Sequence, residues 1–280
     1  PSTLFTDANE PGYEAVRDIV WPDTSFGIRS SDDRGKDLTF PVLHSFPISK
    51  DVVEGELAPY MDWEKVIESN EYITVSPCQC RLMWHAVGAN TNEQHPTETC
   101  LSFGEMAAYF DENGIGRKID QEEAREIVNN GISHGMVPEC LSVKDVDIMC
   151  VCHGECCLNA MSLKSTGGGN PAWKNWSAYV LEYDRKTCIG CGACADICPM
   201  GSITFGEDGA CIHDATCWRC GHCVNACPVN ARILRNREEY PEIGAWPEKA
   251  EDYVEFNEYL LRDRINRGLV HDYTGTVIVD

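Results

Sequence analysis

The cysteine pattern CxxCxxCxxxCP occurs twice, at residues 188–199 and 217–228. The 280-residue chain has seventeen cysteines, an odd number, so they cannot all pair with one another within one chain. They fall in groups with metal-ligand spacing, and no apolar secretory segment follows the first residues. These features favour reduced thiolates on metal over a disulfide scaffold.

Each copy of the pattern predicts one [4Fe–4S] cluster. Three thiolates, each separated from the next by two intervening residues, can bind one cubane. The fourth, which is followed by proline, reaches the other cluster. The alternative is zinc, which binds CxxC pairs but takes only four ligands. The expected ligands of the first cluster are Cys188, Cys191, Cys194 and Cys227, and those of the second are Cys217, Cys220, Cys223 and Cys198.

A short apolar element follows each copy, at residues 201–205 and 231–234. With this repeat, residues 177–237 resemble the bacterial 2[4Fe–4S] ferredoxin family. The resemblance implies a βαβ-βαβ ferredoxin domain and electron transfer. Cys211 lies outside both copies and is expected to be a free thiol.

Eight further cysteines precede residue 165, in groups separated by tens of residues. Thiolates that converge from such groups repel one another unless metal neutralises them. We expect a third [4Fe–4S] cluster, and Cys140 is its least suitable ligand. Zinc is an alternative there, as is replacement of a thiolate by His95 or His153. The cluster would take four ligands from Cys78, Cys80, Cys100, Cys150, Cys152, Cys156 and Cys157.

The N-terminal cysteines also resemble those of a family of ferredoxin-like iron–sulfur proteins. In that family a CxCR segment, a Pro-x-Glu-x-Cys-Leu segment and a cysteine-dense run precede a two-cluster domain. Here these are residues 78–81, 96–101 and 150–157. Family members often carry more cysteines than this chain has, so one extra cluster is expected rather than two.

The predicted fold class is α+β, with four parts. Residues 1–60 are expected to form an extended arm with a few short elements, 61–164 a cysteine-rich and mostly helical domain, and 177–237 the ferredoxin domain. Residues 238–280 are expected to form a helix and a strand, at 274–279, that pack on their own domain or dock onto a partner. The clearest predicted helix runs from Asp120, as N-cap, to Asn130, with Gly131 ending it.

The net charge is −22, from 45 acidic and 23 basic residues. Such a surface repels nucleic acid and anionic lipid, and it either maintains solubility or steers the chain toward a basic redox partner. No apolar stretch is long enough for a membrane span, and we expect a cytoplasmic protein.

Three clusters in one chain indicate an electron relay. No nucleotide-binding, metalloprotease or serine-hydrolase pattern is present in the sequence. We expect a non-catalytic, low-potential electron-transfer subunit of an oxidoreductase complex in anaerobic metabolism. Its catalytic partner would carry flavin, molybdenum or tungsten, or another metal centre. The alternatives are an enzyme whose N-terminal cluster has an open iron site and a redox sensor.

Overall fold

The computed structural model describes residues 27–31, 37–41, 43–86, 92–141, 143–157, 160, 177–206, 209–212, 216–236, 248 and 276–279. Helices and sheets occur together, which confirms the α+β class. The strands are β1 Gly27–Ser31, β2 Asp37–Pro41, β3 Leu43–Ser45, β4 Val53–Glu54, β5 Ile73–Pro77, β6 Glu98–Phe103, β7 Arg117–Ile119, β8 Val137–Leu141, β9 Ile148–Cys152, β10 Tyr179–Asp184, β11 Ile203–Gly206, β12 Gly209–Ile212, β13 Arg232–Asn236 and β14 Thr276–Val279. The α-helices are α1 Trp63–Glu68, α2 Gln79–Ala86, α3 Gly104–Glu112, α4 Gln121–Ser133, α5 Ala193–Asp196 and α6 His222–Asn225.

A six-stranded antiparallel sheet in the order β3-β8-β9-β6-β5-β7 forms the centre of the N-terminal domain. The prediction of a mostly helical domain over 61–164 is therefore wrong. Short strands such as Ile148–Cys152 carry cysteines on one face and apolar residues on the other, and their pairing is long-range. Helical periodicity in the intervening segments predicts only the helices that cover this sheet.

The two faces of the sheet have different roles. One face packs on α1 and α4 through a cluster that includes Trp63, Val128 and Met149. The other face belongs to a second apolar cluster, in which Val137 and Cys152 pack with residues of the C-terminal domain such as Trp218. One face of the sheet thus covers an apolar core, and the opposite face carries cysteines and packs on the C-terminal domain.

Helix α4 begins as predicted but ends later. The carboxylate of Asp120 accepts a 2.8 Å hydrogen bond from the Glu123 backbone N–H, which makes it the N-cap. The helix continues through Gly131 to Ser133, so the predicted end at Gly131 is wrong. A Cβ at Gly131 would lie 2.5 Å from Cγ1 of Val151, so glycine at this position permits close packing of α4 on the sheet.

Residues 43–60 of the predicted arm contain only short elements, but they pack into both domains and do not form a separate arm. Strand β3 pairs with β8 in the six-stranded sheet, and β4 pairs with β13 of the C-terminal domain. Phe46, Ile48 and Val52 between these strands are all buried. The segment is held because it contributes apolar side chains to the cores of both domains.

In the C-terminal domain, residues 179–236 run strand, helix, strand, strand, helix, strand. The sheet order is β14-β10-β13-β4, and β11 and β12 form a separate antiparallel pair. The strand predicted at 274–279 is present over Thr276–Val279 as β14, which pairs in parallel with β10 of its own chain. The helix expected before it lies outside the described residues. None of the described helices is long and apolar enough to cross a membrane.

Candidate metal centres

The two cysteine loops of the C-terminal domain have the same backbone conformation. Each has a positive φ at the residue before its second cysteine, at the residue after it, and three residues after its fourth. The equivalent pairs are Gly190 and Arg219, Gly192 and Gly221, and Gly201 and Asn230. For a non-glycine residue this conformation costs about 1–2 kcal/mol, so the loop around Arg219 is held against local strain.

The fourth cysteine of the first loop lies beside the second loop. Cys198 is close enough to Cys217 for their charges to raise the pKa of the Cys198 thiol, after the larger effect of burial. Cys220 and Cys223 are likewise close enough to both of these cysteines for the charges to raise the pKa of their thiols, after the larger effect of burial. The structure thus brings together the four cysteines that were predicted to bind the second cluster.

Backbone N–H groups point at the fourth cysteine of each loop. Ser202 donates to Sγ of Cys198 at 3.3 Å, and Ala231 donates to Sγ of Cys227 at 3.2 Å. Such bonds stabilise the thiolate form of sulfur, which is the form that binds iron. In the first loop, Cys194 and Cys188 are neighbours, and Cys191 is exposed.

A buried arginine, Arg232, contacts the first cysteine loop. Arg232 is 4% exposed, donates from Nη2 to Sγ of Cys194 at 3.3 Å, and stacks on the ring of Tyr183 at 4.4 Å. A buried guanidinium requires a nearby negative charge. A cubane held by four thiolates supplies that charge, so the donor set and its surroundings fit [4Fe–4S] clusters.

In the N-terminal domain one row of polar residues crosses five strands. Directly paired residues place Ser76, Cys100, Cys150, Glu139 and Ser45 side by side on β5, β6, β9, β8 and β3. The thiols of Cys100 and Cys150 are within hydrogen-bond contact. Because paired residues project from the same face of a sheet, the row is a continuous polar strip on the face turned toward the C-terminal domain.

Cys78 and Cys80 join this strip from the start of α2. A hydrogen bond from the Cys80 thiol and one from the Arg81 backbone lower the pKa of Cys78 to about 7, against the opposing effect of burial. Cys78 is also close enough to Cys100 and Cys150 for their charges to interact. The structure therefore brings Cys78, Cys80, Cys100 and Cys150 together as one half-buried tetrad.

The remaining cysteines of the dense run lie beside the tetrad. Sγ of Cys157 donates to Oε2 of Glu139 at 3.3 Å, and the thiols of Cys152 and Cys157 are in contact. Burial raises the pKa of Glu139 to about 7. Cys156 is a neighbour of Cys78 and Arg81, and burial raises its pKa to about 12.

Cys140 does not join this group. It follows Glu139 on β8 and therefore faces the opposite side of the sheet, where its Sγ lies 3.6 Å from Nε2 of His44. The side chain of Cys211, on β12, lies outside the described residues.

Arg81 is the buried cation of the N-terminal site. It is 1% exposed, and its Nη1 donates a hydrogen bond to the His95 carbonyl oxygen at 3.5 Å. Among the described residues its Nε and Nη2 atoms have no hydrogen-bond partner. An anionic metal–thiolate centre at the neighbouring cysteines would supply the missing negative charge.

A second group of possible ligands, His95, His153 and Glu155, lies at the edge of the N-terminal site. The two imidazole rings are 4.4 Å apart, and Oε2 of Glu155 lies 3.8 Å from Nδ1 of each. The two histidines that were considered as thiolate replacements are thus close to a carboxylate.

Sequence reasoning missed Glu139 and Arg232. The signal for Glu139 is its place one residue before Cys140 in a strand, since alternation puts one of the two on the cysteine face. The signal for Arg232 is weaker, because the position of this residue is set only by the pairing of β13 with β10.

Residues 187–231 match the family model of the 4Fe-4S dicluster domain. This match supports a ferredoxin-type domain with two [4Fe–4S] clusters and a role in iron–sulfur electron transfer. The matched residues are a small part of the chain, and they do not include the N-terminal cysteines. A comparison with curated proteins found no match.

Proposed function

We propose that the chain is an iron–sulfur electron-transfer subunit with three [4Fe–4S] clusters, which relays low-potential electrons to or from a catalytic partner. In this proposal Cys188, Cys191, Cys194 and Cys227 bind the first cluster. Cys217, Cys220, Cys223 and Cys198 bind the second. The place of Cys198 beside the second loop supports this exchange of fourth ligands.

The third cluster is assigned to Cys78, Cys80, Cys100 and Cys150. Cys100 and Cys150 are paired on one face of the sheet, Cys78 interacts with both, and Cys80 contacts Cys78 from the start of α2. Each of the four is partly exposed, as ligands at the edge of a domain would be. The adjacent buried Arg81 supports an anionic centre there.

The main support for the relay is one apolar cluster that contains cysteines of both the N-terminal and the C-terminal domain. Cys152 and Cys157 pack in the same buried cluster as Cys220 and Trp218, with Cys150 and Cys223 at its border. A backbone hydrogen bond of 2.8 Å from Ile48 to the Cys220 carbonyl oxygen adds to the contact. Direct packing without an intervening solvent layer suits electron transfer between the third and second clusters.

The first cluster then occupies the outer end of the relay. Cys191 is exposed, and the neighbouring Ile189 is 64% exposed, so this loop offers an apolar contact to another protein. The partner would be a catalytic subunit that carries flavin, molybdenum or tungsten, or another metal centre.

Iron, acid-labile sulfide and zinc per chain, measured on anaerobically purified protein, test the cluster content. We expect about twelve irons, four for each cubane. About eight irons would remove the third cluster from the proposal.

The relay itself is tested by affinity purification under anaerobic conditions. A stoichiometric partner that exchanges electrons with the clusters is expected. Substrate turnover by the isolated chain would instead favour an enzyme with an open iron site, and release of a partner on oxidation would favour a redox sensor.

A further inference from the structure

The thiols of Cys152 and Cys157 and the carboxylate of Glu139 form a compact group beside the proposed third cluster. One ligand atom from each lies within 4.8 Å of the other two. All three side chains are buried, with Glu139 0% exposed. Together they are a set of two sulfur donors and one oxygen donor in the interior of the protein.

Two constraints position these three donors. Glu139 is fixed on β8 directly opposite Cys150 of β9, and Cys152 lies two residues further along β9 on the same face. Cys157 follows a tight turn, in which its backbone N–H donates to the His153 carbonyl oxygen at 3.0 Å. The group is therefore built from paired strands and a hydrogen-bonded turn.

A hydrogen bond from a neighbouring strand also orients the carboxylate of Glu139. Oγ of Ser45, on the neighbouring strand β3, donates to Oε1 of Glu139 at 3.1 Å. This bond leaves Oε2 directed at Sγ of Cys157, 3.3 Å away. A hydrogen bond that holds one carboxylate oxygen while the other faces the ligand group is typical of metal-binding carboxylates.

We propose that Glu139, Cys152 and Cys157 bind a single divalent metal ion of the zinc type, separate from the [4Fe–4S] clusters. Two thiolates and one carboxylate are ordinary zinc ligands, and they fill three of the four tetrahedral positions. The ion offsets the charges of three anionic groups that would otherwise be costly in an apolar cluster.

This inference rests on the proposed assignment of the third cluster to the tetrad, which leaves Cys152 and Cys157 free for another metal. Iron and zinc are counted separately, so a failure of one proposal can be distinguished from a failure of the other. A wild type with fewer than about twelve irons would contradict the cluster assignment, and a wild type without bound zinc would contradict the present site. The competing location is the group of His95, His153 and Glu155.

The test uses the full chain with its clusters intact, exposed to Zn²⁺ under anaerobic conditions and then desalted. We expect about one zinc per chain in the wild type, in addition to the cluster iron. Glu139→Gln, which keeps the shape of the side chain, should lose most of this zinc and none of the iron. Glu155→Gln is the matched control and should retain the zinc.

Three results of the zinc analysis would overturn the proposal. They are a wild type without bound zinc, zinc retained by Glu139→Gln, and zinc lost in Glu155→Gln. About sixteen irons per chain would also overturn it, because these donors would then belong to a fourth cluster.

X-ray absorption at the zinc edge of the wild type provides a measurement that does not depend on any variant folding. We expect two sulfur neighbours at about 2.3 Å and at least one oxygen neighbour at about 2.0 Å. A spectrum with nitrogen and oxygen neighbours alone would move the ion to the histidine group and contradict the site.

Discussion

Nε2 of His222 lies 2.9 Å from the carbonyl oxygen of Met136 and donates a hydrogen bond to it. His222 lies between the second and third cysteines of the second loop, and Met136 directly precedes β8. The contact links a cluster loop of the C-terminal domain to the sheet that carries the N-terminal cysteines.

The first prediction concerns this contact. His222→Phe should lower the free energy of unfolding by about 1–3 kcal/mol, because the buried Met136 carbonyl loses its donor. Anaerobic denaturant titration of the cluster-loaded protein measures the change. The same substitution at the exposed His85 is the control, and an equal effect at both positions would show that the bond contributes nothing specific.

The second prediction compares two glycines at equivalent positions. Gly221 and Gly192 have φ values of +89° and +84°, so alanine is strained at both. A Cβ at Gly221 would also collide with Cγ2 of Val52, whereas a Cβ at Gly192 would have no neighbour within 4 Å.

Gly192→Ala should therefore cost about 1–2 kcal/mol, and Gly221→Ala about 1–3 kcal/mol more. Thermal and denaturant unfolding of both variants measure the difference. Equal losses would mean that Val52 does not pack against the second loop.

The third prediction tests the exchange of fourth ligands. Cys191→Ala should remove the first cluster, and Cys198→Ala should remove or convert the second, because Cys198 lies beside Cys217, Cys220 and Cys223. Iron analysis and electron paramagnetic resonance of the reduced proteins distinguish the two losses. Neither variant should unfold the N-terminal domain, and full iron retention in Cys191→Ala would refute the ligand assignment.

The fourth prediction concerns Arg81. Arg81→Met should lower the midpoint potential of the proposed third cluster by on the order of 100 mV, since a nearby buried cation favours the reduced, more negative state. Arg81→Lys should restore part of this loss. A redox titration measures the potential, and Arg125→Met, on the exposed side of α4, is the control. An unchanged potential would mean that Arg81 has only a packing role.

The fifth prediction is a pH dependence from His44. Burial lowers the pKa of His44 from 6.5 to about 3. Between these values the unfolded chain binds a proton that the folded chain does not, so stability falls as the pH falls through this window. At pH 5 the expected loss is about 2 kcal/mol.

His44→Gln removes this titration. The difference in unfolding free energy between the wild type and His44→Gln should therefore change by about 2 kcal/mol between pH 7.5 and pH 5. A difference that stays constant with pH would show that His44 is protonated normally in the folded protein.

Local spacing determined what could be predicted from the sequence. The two cysteine loops could be predicted because their cysteines lie a few positions apart in the sequence. The family match at 187–231 supports the two-cluster domain that this spacing predicted. The N-cap at Asp120 and the strand at the C-terminus are likewise local signals, and both are present.

Long-range pairing decided the rest, because strand register depends on contacts between distant segments. The six-stranded sheet, the place of residues 43–60 in two cores, and the packing role of Gly131 follow from such contacts. Neighbouring residues Glu139 and Cys140 show the reason most directly. The sequence places a carboxylate beside a cysteine, but only the pairing of β8 with β9 turns Glu139 toward the clustered thiols and Cys140 away from them.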